Sequence, residues 1–456
     1  MYRWHWQVRS HLEPFGLTKA LDLLDQSQYW PRGRLDDERD RKLRELVVHF
    51  HARSPGYRRL MDEAGVKPAQ VRGVADIGKL PVLHKELLRE RIDELRVLGM
   101  EEKDLERGVT GGTTGNPMRV VRDRAGTAWQ RGCYWRGFGW GGLRLGEPWV
   151  QIFGGAMGLT ERSTKERLRG WFAGKVFLHA FELGAETAPR FVAEIRESGA
   201  RHLVGYASSC HLLAQHVERS GESLSFEAVF PTAELLPSAW AATMARVFGA
   251  KVLPYYGCGE VQSLAYSCPT AAEPVYHTCD EHAVIEVERS DGSAALLGEG
   301  AFLLTDLDNR ALPLIRYRNG DAGVLAEPGC ACGRTLGRIT RLDGRVNDVL
   351  ITTSGDAISG VIGTHSFRVV NNVAHFQIVQ ERPGQARIRI VRAPGFDPAV
   401  EEPKLRTIFS KNLGATAQIE LEYVDEIART AAGKARLVIN QYLEAKKAAA
   451  ERPPQS

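Results

Sequence analysis

The chain contains no run of about 18 consecutive apolar residues, the length that a membrane-spanning helix needs. Its first residues, MYRWHWQ, lack the apolar core of a secretion signal, so we expect a cytoplasmic protein with no membrane association. Basic and acidic residues are interspersed and the net charge is only +4, so no nucleic-acid patch is expected. This mild positive balance is compatible with small anionic ligands such as nucleotides.

Catalytic motifs of two common enzyme classes are also missing. The glycine-rich stretch at residues 110–117 is not followed by Gly-Lys-Ser/Thr, which argues against a P-loop phosphotransferase. No Gly-x-Ser-x-Gly is present and no Cys–His pair can be assigned, so hydrolysis through a covalent acyl-enzyme is not expected. Seven cysteines in a long cytosolic chain are expected to be thiols or metal ligands rather than a disulfide framework.

What remains is a long globular chain. At 456 residues, with 43% hydrophobic and 25% charged residues, it exceeds one ordinary core. The spacing of leucines predicts mostly helical structure over residues 1–100. Between residues 149 and 253, short strands alternate with helices, which predicts an α/β fold with a largely parallel sheet. From about residue 283 the pattern becomes β-rich.

These patterns predict two domains. Residues 1–343 are expected to form a large N-terminal domain of layered sheets and helices. Residues 344–447 are expected to form a small C-terminal α+β domain, and residues 448–456 a disordered tail.

The most informative stretch is TGGTTGNP at residues 110–117. Glycines let backbone N–H groups approach an anion closely, and threonine hydroxyls add donors, so this composition indicates a loop that holds a polyphosphate. A flexible surface turn is the alternative for this stretch taken alone.

Two later segments offer carboxylates. YYGCGE at residues 255–260 supplies aromatic rings for a base and a glutamate for Mg²⁺ beside phosphates, although a turn with a solvated glutamate is equally consistent. LPLIRYRNGD at residues 312–321 ends in Asp321. A carboxylate at a strand end can accept hydrogen bonds from both ribose hydroxyls, and the alternative is an ordinary Gly-Asp turn.

Two further segments offer cations. DGRVND at residues 343–348 places Arg345 at a turn between the two predicted domains, which is either a hinge or a linker. RTAAGKAR at residues 429–436 is a glycine-containing loop that presents one lysine. Its ammonium can neutralise charge on an α-phosphate as pyrophosphate leaves, whereas alone it is more typical of a surface lysine.

Together and in this order, these five segments resemble those of the adenylate-forming superfamily of acyl-CoA synthetases and ligases, over roughly residues 80–440. Within it, the chain is most similar to phenylacetate–CoA ligases and the related capsular-polysaccharide ligase-like proteins. The resemblance implies activation of a carboxylic acid by ATP to acyl-AMP and pyrophosphate, with transfer of the acyl group to coenzyme A. It also implies that the small domain is mobile and rotates between the two steps.

The resemblance assigns roles to individual residues. Glu260 would bind Mg²⁺, Lys434 would drive adenylation, and Thr110 would begin the loop for the β- and γ-phosphates. Tyr256 would line the adenine, and Asp321 would hold the ribose hydroxyls. The full nucleotide-binding set is Gly111, Gly112, Thr113, Thr114, Gly115, Glu234, Tyr256, Gly257, Asp321 and Arg345.

Three positions depart from the family pattern. Gly259 stands where the family has a threonine, and Asn347 replaces the hinge aspartate, for which Asp348 can substitute. The family's Gly-Glu of the adenine region is Thr232-Ala-Glu234 here. None of the three removes the proposed lysine or the Mg²⁺ ligand.

The acid and the acceptor are less constrained. The acid pocket is expected to draw on Trp135, Phe153, Tyr206, Ala207 and Thr232. Its aromatic members suit an aryl acid but equally suit a core. Besides coenzyme A, an amine is the alternative acceptor, which would give an amide. A non-catalytic nucleotide-binding homologue is the third alternative, and the sequence leaves the oligomeric state open.

A cysteine cluster indicates a separate metal site. Cys330 and Cys332 form a Cys-x-Cys turn, and Cys268, His277, Cys279 and His282 lie upstream. Three thiolates and an imidazole make a closed structural zinc site. The resemblance to related ligases selects Cys268, His277, Cys330 and Cys332. Unligated thiols in a β-rich lobe are the alternative.

Overall fold

The computed structural model of the chain describes residues 16–109, 119–153, 174–183, 187–271, 275–289, 291–345, 349–355, 357–359, 370–428 and 436–450. They group into two units. The first holds the described residues up to Ala233 together with Thr243–Leu342, and the second holds Glu234–Ala242 and the described residues from Asp343 onward. Among the described residues, no helix is long and apolar enough to cross a membrane.

The first unit begins with short and medium helices. Leu43, Val47 and Phe50 recur at helical spacing and are fully buried, so one face of the longest helix belongs to the core. Ser54 caps the next helix by accepting a hydrogen bond from the Tyr57 N–H at 3.2 Å. The elements are α1 (Leu17–Ser27), α2 (Arg32–Arg53), α3 (Pro55–Glu63), strand β1 (Leu83–His84), α4 (Lys85–Glu90) and α5 (Ile92–Leu95).

An antiparallel pair of strands flanks the glycine-rich segment. β2 (Leu105–Val109) pairs with β3 (Arg119–Asp123), and Val109 stands opposite Arg119. Asp123 ends β3 and caps helix α6 (Arg124–Gly139) by accepting a hydrogen bond from the Gly126 N–H at 3.2 Å. The chain positions on either side of residues 110–118 are therefore held side by side by the strand pairing.

A five-stranded parallel sheet follows, which confirms the predicted strand–helix alternation. Its spatial order is β5-β4-β6-β7-β8, and all four described pairings are parallel. β4, β6 and β7 are buried at every position, as is typical of parallel strands covered on both faces. The elements are β4 (Trp149–Phe153), β5 (Lys175–His179), α7 (Ala188–Ser198), β6 (His202–Tyr206), α8 (Ala207–Ser220), β7 (Ala228–Thr232), α9 (Ser238–Phe248) and β8 (Lys251–Val252).

A nine-stranded sheet completes the first unit. Its order is β13-β12-β14-β15-β16-β11-β10-β9, and β1 pairs with β15 in parallel. The β-rich region therefore begins near Tyr255, earlier than the sequence pattern predicts, because its first strands have only two or three residues each. The strands are β9 (Tyr255–Tyr256), β10 (Ala265–Ser267), β11 (Tyr276–Thr278), β12 (Ala283–Glu288), β13 (Ala294–Ala295), β14 (Gly298–Asp306), β15 (Tyr317–Ala326) and β16 (Arg338–Arg345).

The second unit contains a four-stranded sheet of order β21-β20-β19-β22 and the pair β17-β18. In β20, Ile388 and Ile390 are buried while the intervening Arg389 reaches Glu422 on β21, an alternation typical of a sheet covered on one face. The elements are β17 (Val349–Ile351), β18 (Ala357–Ser359), β19 (Val373–Gln380), β20 (Gln385–Arg392), α10 (Pro398–Leu413), β21 (Gln418–Tyr423), β22 (Val438–Asn440) and α11 (Gln441–Ala450).

Two predicted boundaries differ from the structure. Helix α11 continues to Ala450, so the disordered tail predicted from residue 448 starts too early. The segment Glu-Ala-Lys-Lys-Ala-Ala-Ala is rich in strong helix formers, which explains the extension. Residues Glu234–Ala242 group with the second unit rather than the first, because Trp240 packs on His375 with ring centroids 5.0 Å apart.

Candidate active site

Asp321 lies inside a strand, which corrects the prediction that it ends one. On β14, the step from Ala301 to Leu303 is opposed on β15 by the longer step from Arg318 to Ala322. The extra residues form a β-bulge, and Gly320 within it has a φ of 84°. The bulge therefore sets Asp321 out of the regular ladder at mid-strand, a feature that a Gly-Asp pair alone does not distinguish from a turn.

A polar network surrounds the Asp321 carboxylate. The Tyr256 hydroxyl donates to Oδ2 at 3.0 Å, and the Asn319 amide donates to the same oxygen at 2.6 Å. Asn319 also donates to the Tyr256 oxygen at 2.8 Å and accepts the Asp321 N–H at 3.1 Å. Burial and the neighbouring Asp321 charge raise the pKa of Tyr256, so its hydroxyl remains a donor.

Glu260 lies on a tight turn, residues 258–261, here called the Glu260 turn. The Cys258 N–H donates to the Val261 carbonyl at 3.0 Å, and the Val261 N–H donates to the Cys258 sulfur at 3.3 Å. The Tyr317 hydroxyl of β15 donates to Oε1 of Glu260 at 3.0 Å. Among the described residues, Oε2 has no donor, which leaves one carboxylate oxygen for a cation.

Gly257 precedes this turn, and a side chain would crowd it. An added Cβ would lie 3.0 Å from the Ser263 nitrogen, and Ser263 itself has a positive φ of 56°. Gly257 therefore has a structural reason to be glycine: the chain doubles back on itself immediately beside Glu260.

Arg122 holds the same turn from β3. One of its terminal nitrogens, Nη2, donates to the carbonyl oxygens of Gly259 at 2.6 Å and Glu260 at 2.8 Å. Arg122 is 7% exposed, and burial lowers its pKa, an effect that the charge of Asp306 partly opposes.

Three of the predicted acid-pocket residues lie at one edge of the parallel sheet. Phe153, Tyr206 and Thr232 are the last residues of β4, β6 and β7. The rings of Phe153 and Tyr206 meet edge to face at 4.9 Å, and Ala207 begins helix α8 directly afterwards. This is the carboxyl edge of a parallel sheet, where ligands bind in open α/β folds.

The structure does not bring Trp135 to that edge. Its ring packs against Trp149 at 6.1 Å, and Trp149 is the first residue of β4, whereas Phe153 is the last. Five strand residues separate the two ends of β4 by about 13 Å. The position of Trp135 on α6 determines which end of β4 its ring reaches, and the sequence pattern does not distinguish the two ends.

Several predicted site residues lie outside what the structure describes. They are Thr110, Gly111, Gly112, Thr113, Thr114, Gly115 and Lys434. The side chain of Arg345, at the end of β16, is likewise not described. Glu234 is half-buried and belongs to the second unit.

The predicted zinc ligands do lie together. One ligand atom from each of Cys268, His277, Cys330 and Cys332 lies within 4.8 Å of the others. The Cys268 and Cys330 sulfurs are 3.7 Å apart, and Cys332 Sγ is 3.2 Å from His277 Nε2. Two sulfurs bound tetrahedrally to one zinc at about 2.3 Å are about 3.8 Å apart. Burial and then Arg334 lower the pKa of His277 to about 4, so its imidazole is neutral at pH 7, as a ligand must be.

His282, Asp306 and Asp308 form a second buried group of metal-ligating type. Its positions are already filled by protein groups. The Lys42 ammonium donates to Asp308 Oδ1 at 2.7 Å, and His282 Nδ1 lies 2.8 Å from Asp308 Oδ2. Burial disfavours the imidazolium, but Asp306 and Asp308 outweigh it and raise the pKa of His282 to about 9. This group is an internal ion network.

The chain also resembles known proteins. A family model described as the CapK C-terminal domain matches residues 350–441. The phenylacetate-coenzyme A ligase of Thermus thermophilus is 27% identical over 447 residues, which is 90% of this chain and 97% of that protein. These similarities support the prediction from the motifs, a phenylacetate–CoA ligase-like protein of the adenylate-forming superfamily.

Solved structures of adenylate-forming ligases share its fold. One is 2-hydroxyisobutyryl-CoA ligase in its postadenylation state, bound to R3-HIB-AMP, with a TM-score of 0.74 at 18% identity, covering 93% of this chain and 94% of that one. Another is an amide bond synthetase from Marinactinospora thermotolerans, with a TM-score of 0.52 at 16% identity, covering 77% and 71%. The predicted α/β class, with a large N-terminal part and a smaller C-terminal part of sheet and helix, is confirmed.

Sequence reasoning missed four residues of this ligase that contact the site. Arg122 contacts the Glu260 turn, Tyr317 contacts Glu260, and Asn319 contacts Asp321. His282 contacts the Gln262 carbonyl, directly after the turn. Tyr317 and Asn319 stand at alternate positions before Asp321 in RYRNGD, so a period of two could have identified them. Arg122 and His282 are more than 20 residues from Glu260, and no local pattern points to their contact.

Proposed function

We propose that this ligase activates a carboxylic acid with ATP to form an acyl-adenylate and pyrophosphate, and then transfers the acyl group to coenzyme A. The observation that carries the proposal is the pair of carboxylates fixed by β15. Glu260 is bonded to Tyr317, and Asp321 is bonded to Asn319 and Tyr256. One carboxylate with a free oxygen and one in a diol-sized polar network suit a metal–phosphate group and a ribose.

In the first step, the acid carboxylate attacks the α-phosphate of ATP and pyrophosphate leaves. Asp321 accepts hydrogen bonds from the ribose hydroxyls, with Tyr256 and Asn319 fixing its orientation. By the resemblance, we propose that the loop from Thr110 to Gly115 binds the β- and γ-phosphates and that Lys434 binds the α-phosphate. A lysine there neutralises charge that develops as the phosphorus–oxygen bond breaks. Glu234, Gly257 and Arg345 complete the proposed nucleotide set.

Glu260 is the proposed Mg²⁺ ligand. The donor set fits, because Mg²⁺ takes one or two carboxylates together with substrate phosphates and retains several waters. The Oε2 atom has no donor among the described residues, and Tyr317 orients the group through Oε1. When bound, Mg²⁺ neutralises phosphate charge.

Zinc is proposed as a structural ion at Cys268, His277, Cys330 and Cys332. The spacing of the donors fits a tetrahedral site, and the other ring nitrogen of His277, Nδ1, has no partner among the described residues. With four protein ligands the site has no open position for water, so it would tie Cys330 and Cys332 to β10 and β11 rather than act in catalysis.

The acid pocket is proposed to lie at the carboxyl edge of the parallel sheet, lined by Phe153, Tyr206, Ala207 and Thr232. The edge-to-face pair of Phe153 and Tyr206 supports an aryl acid or another small organic acid. Coenzyme A is the proposed acceptor, and an amine is the alternative. The ligase is proposed to act in the cytoplasm.

The deciding experiment is ATP–pyrophosphate exchange with a panel of aryl and aliphatic acids and no acceptor present. Exchange stimulated by one class of acid supports the proposal and identifies the acid. Supplying coenzyme A and then amines to the same mixture separates thioester from amide formation by mass spectrometry. ATP binding without exchange for any acid in the panel would contradict adenylation and favour a non-catalytic nucleotide-binding homologue.

A further inference from the structure

Arg122 is buried, and its guanidinium donates hydrogen bonds to backbone carbonyl oxygens rather than to a carboxylate. In the described part of the chain, no carboxylate lies within ion-pair distance of its guanidinium. Its hydrogen bonds go to the carbonyl oxygens of Gly259 and Glu260 instead. Burying an arginine without a paired carboxylate is costly, so its retention in a folded core requires a compensating gain.

The strand that carries Arg122 is fixed independently of the Glu260 turn. The Asn309 amide donates to the Val121 carbonyl at 3.1 Å, on one side of Arg122. On the other side, Asp123 accepts the Arg310 N–H at 2.7 Å and caps α6. Arg122 therefore extends from a rigid strand, and the hydrogen bonds transfer that rigidity to the turn.

The turn depends on these bonds for its position. Among the described residues, the backbone N–H groups of Cys258 and Val261 make the bonds that close the turn on itself. The Tyr317 bond orients the Glu260 side chain but does not fix the backbone beneath it. Gly259 has no side chain that could contribute a contact. Arg122 is the described side chain that donates hydrogen bonds to the Gly259 and Glu260 carbonyl oxygens.

We propose that Arg122 is a positioning residue for the ATP step, in which its guanidinium holds the Gly259 and Glu260 carbonyls against β3 and so sets the place of the Glu260 carboxylate. The inference rests on the proposed role of Glu260 toward Mg²⁺. It assigns Arg122 no contact with substrate. β3 directly follows residues 110–118 in the chain, so Arg122 would connect the strand after the glycine-rich segment to the turn that carries Glu260.

Two variants of the full-length protein test the proposal. Arg122→Met removes the donors while keeping much of the volume, and Arg122→Lys keeps a charge and rotatable donors on a shorter reach. In Arg122→Met we expect the KM for Mg·ATP to rise at least about tenfold, since small displacements of a positioned group cost 10- to 100-fold. Arg122→Lys should recover part of that loss. The second half-reaction, from synthetic acyl-adenylate and coenzyme A, should stay within about twofold, because it bypasses the metal and the leaving pyrophosphate.

A binding measurement gives a readout that needs no turnover. Calorimetry of ATP with and without Mg²⁺ should show that Mg²⁺ strengthens binding to the wild-type protein and does so about tenfold less in Arg122→Met. The matched control is Arg39→Met, which replaces another buried arginine, on α2, far along the chain from the Glu260 turn. It should leave the Mg²⁺ effect and the ratio of the two half-reactions unchanged, whatever its melting temperature.

Equal losses in both half-reactions, or an unaltered Mg²⁺ effect on ATP binding in Arg122→Met, would assign Arg122 a purely structural role and overturn the proposal. Failure of the proposed function is a separate result. If no acid in the panel stimulates ATP–pyrophosphate exchange by the wild-type protein, adenylation is contradicted. The calorimetric comparison still decides whether Arg122 positions Glu260 for Mg·ATP.

Discussion

His282 should make the stability of the first unit depend on pH above neutrality. Its Nδ1 faces Asp308 at 2.8 Å and Asp306 at 3.8 Å, and its Nε2 contacts the Gln262 carbonyl at 3.2 Å, two residues beyond Glu260. The Lys42 ammonium also faces Asp308, and the Cys279 thiol is a further neighbour of the ring. With both ring nitrogens bonded to acceptors, the protonated form is the one that this environment selects.

The magnitude follows from the pKa. Burial opposes the charge, Asp306 and Asp308 favour it, and the balance raises the pKa from 6.5 to about 9. At 1.36 kcal/mol per pKa unit, the proton contributes about 3 kcal/mol to folding. Because the folded-state pKa is the higher one, this stability is fully present below about pH 6.5 and is lost as the pH rises to about 9. We therefore expect the difference in free energy of unfolding between wild type and His282→Gln to shrink as the pH rises from about 6.5 to about 9.

The assay is urea unfolding followed by tryptophan fluorescence at pH 6 and at pH 9.5, for wild type and for His282→Gln. The difference between the two proteins should be about 3 kcal/mol larger at pH 6 than at pH 9.5. His49→Gln is the control, since among the described residues the His49 ring packs on Phe50 and hydrogen-bonds the Arg310 carbonyl but has no carboxylate within ion-pair distance, so the variant should follow the wild-type profile. A difference between wild type and His282→Gln that does not change with pH would refute a charged His282.

Three further outcomes are expected. Glu260→Gln keeps the size of the side chain but removes a metal-binding charge, so Mg²⁺-dependent pyrophosphate exchange should fall at least about 100-fold; activity within about threefold of wild type would contradict the role. Lys434→Ala should abolish adenylation while ATP binding by calorimetry stays largely intact, and unchanged adenylate formation would rule out the role of Lys434. Purified protein should contain about one equivalent of zinc by metal analysis, and Cys330→Ser should lower both the zinc content and the melting temperature; wild-type protein with no zinc would reject the site.

The sequence predicts the parallel sheet well and the small strands poorly. Buried apolar runs such as Trp149–Phe153 are bounded by glycines and polar residues, so their ends are visible in the sequence. Strands of two or three residues, such as Tyr255–Tyr256, have no period to detect. Their place in the large sheet is set by partners that lie far along the chain.

In the candidate site, too, local sequence predicts some features, and distant parts of the chain set the others. Local motifs indicate Glu260 and Asp321, and the resemblance to related ligases selects the Cys₃His group. In the structure Glu260 accepts from Tyr317, Asp321 accepts from Tyr256, and the four zinc-type ligands lie together. The Asp321 bulge was not foreseen, because it arises from a register shift against β14 and not from the sequence of β15 alone. Arg122 was missed because only the fold brings it to the Glu260 turn.

The bulge in β15 constrains the number of residues in the RYRNGD motif, residues 316–321. Side chains of a strand alternate between two faces, and the bulge adds two residues on β15, so the alternation is kept: Tyr317 and Asn319 before it and Gly323 and Leu325 after it are all buried. Removing a single residue between Arg318 and Ala322 would turn the buried Leu325 toward the opposite face and move Asp321 from its place beside Tyr256. A point substitution in RYRNGD therefore acts at one position, whereas a one-residue deletion or insertion would reverse the faces of the rest of β15, a strand that lies between β14 and β16 inside the nine-stranded sheet.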